Sequence, residues 1–189
     1  MRVQHVIHLA IDSCVLHTWQ GDSYMPVAGY APSSGEPSAL LSFLRQNVGT
    51  IGILVDVLEE VYSRDRIARL GQRDQQAMLE RKLARAFPRT EFSTAIVQGR
   101  TSDTAQGQDV LFSALTKPDH LRLLIEQLTA AKLPVAGVCS PALLSLPVLE
   151  KLQASTANPA AAALLVTRDQ EGRLRLAFFR DRQLISSRL

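Results

Sequence analysis

The stretch Leu164–Leu189, LLVTRDQEGRLRLAFFRDRQLISSRL, decides the fold. Turn residues interrupt it at 170–172 and at 181–182, and the runs that they separate are rich in β-forming side chains. Turn residues between such runs are the usual signal of antiparallel hairpins. Together with the preceding alanines, the segment predicts a β-meander of three strands.

A similar pattern opens the chain. Runs at 6–12, 14–20 and 25–31 are joined by short turns. Pro26 should confine the third run to a sheet edge or place the proline at the start of a strand, because proline has no N–H to give to a strand ladder. The sequence therefore predicts two meanders, the second roughly 155 residues after the first.

Between the meanders, strands and helices alternate. The short apolar runs 51–57 and 134–140 predict strands buried on both faces, whereas 58–70 is ambiguous. Apolar residues at helical spacing predict helices that begin near Ser38, Asp74, Thr116 and Ser140. The fold class that follows is α/β with a mixed sheet.

Composition limits the functional classes. The 189 residues are 46% hydrophobic, carry a net charge of +3 and contain no apolar run near the roughly 20 residues that span a bilayer. Cys14 and Cys139 have no metal-ligand spacing, so both are interpreted as buried thiols in a reducing compartment, by default the cytoplasm. No Walker sequence, GxGxxG or GxSxG occurs. We expect no catalytic residues.

Two aspartates stand at predicted strand ends. Asp12 and Asp56 would lie together if their strands are neighbours, and paired carboxylates in such places can hold Mg²⁺. The simpler interpretation of Asp12 is a turn residue that bonds its own backbone. Both interpretations stay open from the sequence.

The basic excess is local. Arg81, Arg85 and Arg89 belong to a basic segment, and Arg100 lies at a polar loop between two predicted strands. A solvated helix face is the simpler interpretation, and contact with a protein or an anionic membrane is the alternative. A nucleic-acid surface would need more aromatic side chains than Tyr62 and Phe87 supply.

Three stretches carry a resemblance to a known superfamily: residues 109–140 with "AAKLPVAGV" and "SPALL", the final stretch 164–189, and the first strand ending in Asp12. They resemble the actin-like (ribonuclease H-like) proteins of type IV pilus and type II secretion assembly, the PilM and GspL families. The resemblance implies a duplicated β-meander, with a first lobe at 1–157 that carries a small α/β insert at about 58–117. Residues 158–189 would begin a second lobe, which we expect to be truncated.

The resemblance also bears on function. Members that bind nucleotide place glycines at both hairpin corners, whereas the corner at 11–15 has none and the second has only Gly172, beside Asp169. The resemblance therefore implies a non-catalytic cytoplasmic scaffold at the inner face of the bacterial inner membrane, with other pilus or secretion assembly proteins as partners. No cofactor is expected on this interpretation. It allows self-association and a peripheral membrane contact, and it does not call for nucleic acid.

Two alternatives remain. An actin-like ATPase would bind nucleotide or metal through Asp12, Asp56 and Asp169, with ATP and Mg²⁺ as cofactors. A nucleic-acid-processing domain with a ribonuclease H-like fold would use the basic segment instead.

Overall fold

The computed structural model describes residues 3–33, 36–68, 70–100, 107–154, 161–169 and 172–189, and at residues 99 and 100 the backbone only. Two features interpreted above, the lobe boundary at 157–158 and the turn residues 170–171, lie outside the described residues. The helices and strands of the described residues are, in chain order, β1 (His5–Ala10), β2 (Cys14–Gln20), β3 (Ser23–Tyr30), α1 (Ser38–Gln46), β4 (Ile51–Asp56), β5 (Glu60–Ala68), α2 (Gln72–Ala86), β6 (Ser93–Arg100), β7 (Gly107–Leu115), α3 (Asp119–Ala130), β8 (Val135–Cys139), α4 (Pro141–Gln153), β9 (Ala162–Arg168), β10 (Leu174–Arg180) and β11 (Gln183–Arg188).

Chain contacts divide the protein into two compact units. The first comprises Met1–Leu58 and Asp119–Leu144, and the second comprises Glu59–Pro118 and Ser145–Leu189. The division into lobes expected from the sequence stays a prediction.

The first unit is built on a mixed five-stranded sheet in the order β3-β2-β1-β4-β8. The opening meander pairs antiparallel, and β1, β4 and β8 run parallel. The position of β3 at an edge confirms the expectation from Pro26. Alternation along β1 and β4 buries one face of these two strands, with Ile7 paired to Ile53 and Leu9 to Val55. Buried leucines of the two helices complete this core: Leu40, Leu44, Leu121, Leu124 and Leu128.

One strand of this unit differs from its prediction. The run that forms β8 was expected to be buried on both faces, but β8 is the second edge of the sheet, and Val138 is 39% exposed. An apolar run has the same appearance in a central strand and in a partly covered edge strand. The sequence alone therefore could not separate the two.

The second unit contains a three-stranded antiparallel sheet in the order β5-β7-β6. The ambiguous segment 58–70 forms its strand β5, which pairs with β7 along its whole length. One face of the sheet presents Ile67, Val110 and Phe112 as a buried cluster. The side chains packed against that cluster include four from α2 and the residue after it, Met78, Leu79, Leu83 and Phe87.

The closing meander is the third sheet, in the order β11-β10-β9, and its three predicted strands are confirmed. One face of this sheet is buried and includes Ala177 and Phe179. Side-chain bonds tie β11 to the other sheet of the same unit. Gln183 Nε2 donates to Asp109 Oδ2 at 3.1 Å, and Gln98 Nε2 donates to the Leu184 carbonyl at 3.0 Å. The second unit is therefore layered, with α2, then β5-β7-β6, then the meander.

The predicted mixed α/β architecture is confirmed by these sheets and helices. In each meander, the strand that comes second in the chain lies between the first and the third: the orders are β3-β2-β1 and β11-β10-β9. The assignment to an actin-like fold and the internal duplication stay predictions.

Candidate functional site

The structure brings Asp12 and Asp56 to the same end of the first sheet, where the neighbouring strands β1 and β4 finish. β1 and β4 are parallel neighbours, Ala10 pairs with Asp56, and Asp12 follows Ala10 by two residues. The condition set by the sequence, that the two strands be neighbours, is therefore met. Asp12 is exposed in the bend after β1, where the Ala10 N–H donates to the Ser13 carbonyl at 2.8 Å.

Asp56 is buried, at 6% exposure, and lies beside a histidine. His8 Nε2 is 3.7 Å from Asp56 Oδ2. That separation is too long for a hydrogen bond but suits an ion pair when His8 is protonated. The two side chains come from adjacent strands, β1 and β4, on the less buried face of the sheet.

A second histidine adjoins this pair. The rings of His8 and His17 have centroids 6.5 Å apart across the first hairpin. Burial, followed by the nearby charge of His8, lowers the pKa of His17 below its usual value. Two protonated rings at this distance would repel each other, which is why a charge on His8 disfavours a proton on His17.

The Asp12–Asp56 site offers a metal ion fewer protein ligands than a complete coordination shell needs. Among the described residues, no three His, Cys, Asp or Glu side chains are grouped closely enough to hold a metal ion. Mg²⁺ commonly takes one or two carboxylates and fills its other positions with water and phosphate oxygens. Asp12 and Asp56 suit that role by chemistry and by their shared sheet edge. ATP or Mg²⁺ at this edge stays a prediction.

Asp169, the third candidate, lies in the second unit and is engaged within its own hairpin. Its carboxylate accepts from the Arg173 backbone N–H at 2.8 Å and from Arg173 Nε at 2.7 Å. The Asp169 N–H in turn donates to the Arg173 carbonyl at 3.0 Å. These bonds close the β9–β10 turn. The observed contacts of Asp169 therefore belong to the turn, and a ligand-binding role for it stays a prediction.

The candidate contact arginines lie on and after α2. Arg81 and Arg85 are exposed and one helical turn apart, and Arg89 is exposed just beyond the helix. Lys82 points elsewhere, since its Nζ lies 2.5 Å from Asp65 Oδ2. Arg100 ends β6, and its side chain lies outside the described residues. The basic stripe, which we define as Arg81, Arg85 and Arg89, is therefore available to an acidic partner.

A buried polar cluster between the two sheets of the second unit was not found from the sequence. Arg175, at 5% exposure, donates from Nη1 to Ser187 Oγ at 3.3 Å, and Ser113 Oγ donates to Glu60 Oε1 at 2.8 Å. Tyr62 lies among them, and burial together with the Glu60 charge raises the pKa of its hydroxyl. The residues of this cluster come from four strands, β5, β7, β10 and β11, which lie far apart in the chain. No local sequence motif therefore indicates the cluster.

Among the solved structures with a similar fold are two from pilus and secretion assembly. One is a chain of the "PilM-PilN type IV pilus biogenesis complex", with a TM-score of 0.67 and 15% identity over 100% of this chain. The chain spans 61% of that relative's length. Another is EpsL of Vibrio cholerae, described as the cytoplasmic domain of an inner-membrane component of the type II secretion system. Its TM-score is 0.51 and its identity 13%, over 95% of this chain and 68% of that one.

No protein-family model matches the sequence, and a search of curated proteins finds no match. The likeness is therefore one of fold. It confirms the resemblance to PilM-like and GspL-like proteins that the sequence indicated. Within the described residues, the helices are too short or too polar to cross a membrane.

Proposed function

We propose that this chain is a component of a type IV pilus or type II secretion assembly complex, and that it acts as a non-catalytic scaffold at the cytoplasmic face of the inner membrane. The observation that carries the proposal is the fold shared with a chain of the PilM-PilN complex over all of this chain. The engagement of Asp169 within its own turn supports a scaffold over an ATPase, because its oxygens already accept two bonds.

The basic stripe is the first contact surface that we assign to this role. Arg81 and Arg85 project from a helix whose opposite side packs on the sheet beneath it. An acidic segment of a partner would pair with the arginines, and such exposed pairs steer association and set specificity more than they add affinity. We assign residues 91–100 and 107–117, which include β6 and β7, to the same proposed role as a second contact region.

Binding to the cytoplasmic segment of a PilN-type protein from the same genome tests the proposal. Titration calorimetry should show a complex that weakens as salt rises. Arg81→Glu with Arg85→Glu should weaken it by about tenfold or more. Arg45→Glu with Arg122→Glu, at exposed sites of the first unit, changes the charge equally and serves as the matched control. Absence of binding by the folded parent chain would overturn the proposal.

Nucleotide binding at the Asp12–Asp56 edge is the second candidate, favoured by the parallel register that places Asp56 opposite Ala10. A ligand that binds only the folded state must raise the thermal midpoint. Millimolar ATP with Mg²⁺ should do so in the parent chain, and the rise should vanish in Asp12→Asn, which alters an exposed side chain. An unchanged midpoint at saturating ligand would exclude this candidate.

A further inference from the structure

Residues 59–116 of the second unit have joined ends and a core of their own. Thr116 donates twice to the Glu59 carbonyl, from its N–H at 2.9 Å and from Oγ1 at 3.1 Å. Ile67, Val110 and Phe112 form a buried cluster, and the side chains packed around it also come from 59–116. A segment with joined ends and its own core can move as one body. We call it the insert module.

Side-chain bonds from the insert module to the closing meander converge on the start of β11. Gln183, which is 9% exposed, lies between two charged side chains. Its Oε1 accepts from Arg64 Nη2 at 3.2 Å, and its Nε2 donates to Asp109 Oδ2 at 3.1 Å. Gln98 Nε2 donates to the carbonyl of the following residue, Leu184, at 3.0 Å. An amide suits this place because it accepts from a cation and donates to an anion. We call these bonds the latch.

The buried polar cluster divides into two halves along the same boundary. Ser113 donates to Glu60 within the insert module, and Arg175 donates to Ser187 within the meander. Tyr62 lies between the halves, and the charges of both Glu60 and Arg175 act on its hydroxyl. Each half therefore keeps its own hydrogen bond when the two sheets separate. Exposing polar groups that stay paired or reach water costs little free energy, because water replaces the bonds that are lost.

Apolar side chains of the meander favour the docked arrangement. Phe179 is 1% exposed, Ala177 2% and Leu165 8%, and Leu165 pairs with Ala177 on the same face. Separation would return part of this area to water, so the docked state is the resting one. A contact that joins a few apolar side chains to many polar ones permits relative motion, whereas a large apolar contact does not.

We infer that the insert module and the closing meander form a separable pair, docked at rest and undocked as two intact bodies when the latch at Gln183 is broken. Undocking uncovers Arg175 and Gln183, which are buried in the docked state. A partner that binds the uncovered surface would shift the population toward the undocked state. This device goes beyond the proposed function, because no assembly protein enters its argument or its test.

The distance between two spin labels measures the separation directly. Ala84→Cys on α2 and Ser186→Cys on β11 place the labels at exposed positions of the insert module and of the meander. Cys139→Ala removes the half-buried thiol, and Cys14, at 0% exposure, stays unlabelled. The labelled chain should show one distance population in buffer. Rising urea should add a longer one before the circular dichroism signal falls, because the two bodies separate before either unfolds.

A charge at the latch tests the role of Gln183. Gln183→Glu keeps the size of the side chain but places a second carboxylate against Asp109, so the ratio of long to short distances should rise about tenfold or more. Adding Asp109→Asn restores an amide partner and should return the ratio toward that of the parent chain. Gln75→Glu is the matched control. Gln75 Nε2 donates to Gln108 Oε1 at 2.8 Å inside the insert module, so losing this bond should leave the distances unchanged.

A single distance population at every urea concentration up to global unfolding would overturn the inference. Equal effects of Gln183→Glu and Gln75→Glu would do the same, since the latch would then have no special role. Where Gln183→Glu fails to fold by circular dichroism, the urea titration of the labelled parent decides the question alone. The calorimetric test of PilN-type binding has no bearing on these results, so the two proposals fail separately.

Discussion

Asp169 and Arg173 hold the β9–β10 turn together through three bonds, two accepted by the carboxylate and one donated by the Asp169 N–H. The Asp169 side chain is 6% exposed and that of Arg173 is 25% exposed. Hydrogen bonds to charged groups in such surroundings contribute more than exposed ones, because loss of one partner leaves the other desolvated. The pair is therefore a stabilising feature of the meander.

We expect Asp169→Ala to lower the free energy of unfolding by about 2 kcal/mol, since it removes two accepted bonds and the ion pair with Arg173. Urea denaturation measures the change. Glu126→Ala, on an exposed helical surface, is the control and should shift the midpoint little. A loss no greater than that of the control would show that the turn does not depend on Asp169.

The buried guanidinium of Arg175 gives a larger expected effect. Its Nη1 donates to Ser187 Oγ, and its charge opposes the effect of Glu60 on Tyr62. Arg175→Met should cost roughly 3 kcal/mol of stability, because it removes a buried positive charge that acts against the negative charge of Glu60.

Ser187→Ala removes only the hydroxyl and should cost about 1 kcal/mol. Combining Arg175→Met with Glu60→Gln should recover part of the larger loss, and a double-mutant cycle by urea denaturation measures the coupling. Additive losses in that cycle would mean that the two charges do not act on each other.

Local patterns in the sequence predicted most strands and helices. The final meander follows from turn residues at fixed places. Pro26 limited the third run to a sheet edge or a strand start, and β3 lies at an edge. In these features, neighbouring residues determine the outcome. The shared location of Asp12 and Asp56 was predicted only on the condition that their strands are neighbours, which the sequence did not show.

Features that depend on distant partners were not predictable. Arg64 donates to Gln183, a residue 119 positions away in the sequence, and the polar cluster of the second unit rests on similar separations. Likewise, the apolar run of β8 predicted full burial, but the strand lies at a sheet edge. Burial depends on which element packs above a strand, and a run of apolar letters does not contain that information.

Cys14 should make the stability of the first unit depend on alkaline pH. Burial raises the pKa of its thiol from 9.0 to about 11, partly offset by a hydrogen bond with Tyr30. The folded chain thus holds this proton more tightly than the unfolded chain does. The contribution to stability is complete below pH 9 and is lost as the pH rises toward about 11.

Urea midpoints measured across that interval should fall for the parent chain and fall less steeply for Cys14→Ala. Cys139→Ala is the matched control and should follow the parent slope, because that thiol is only half-buried at the sheet edge. Identical slopes for the parent and Cys14→Ala would show that Cys14 does not govern this dependence.

Pro26 protects an open sheet edge. It lies in β3, the outermost strand of the first sheet, opposite His17 and next to a bulge in the pairing with β2. Proline and bulges at an edge both hinder a second strand from adding to it. Pro26→Val restores an N–H and a strand-forming side chain, so we expect concentration-dependent self-association beyond that of the parent chain, measured by sedimentation velocity. Met25→Val, at an exposed neighbouring position, keeps the proline and should sediment like the parent. If both variants sediment alike, the bulge or the twist of β3 protects the edge without help from the proline.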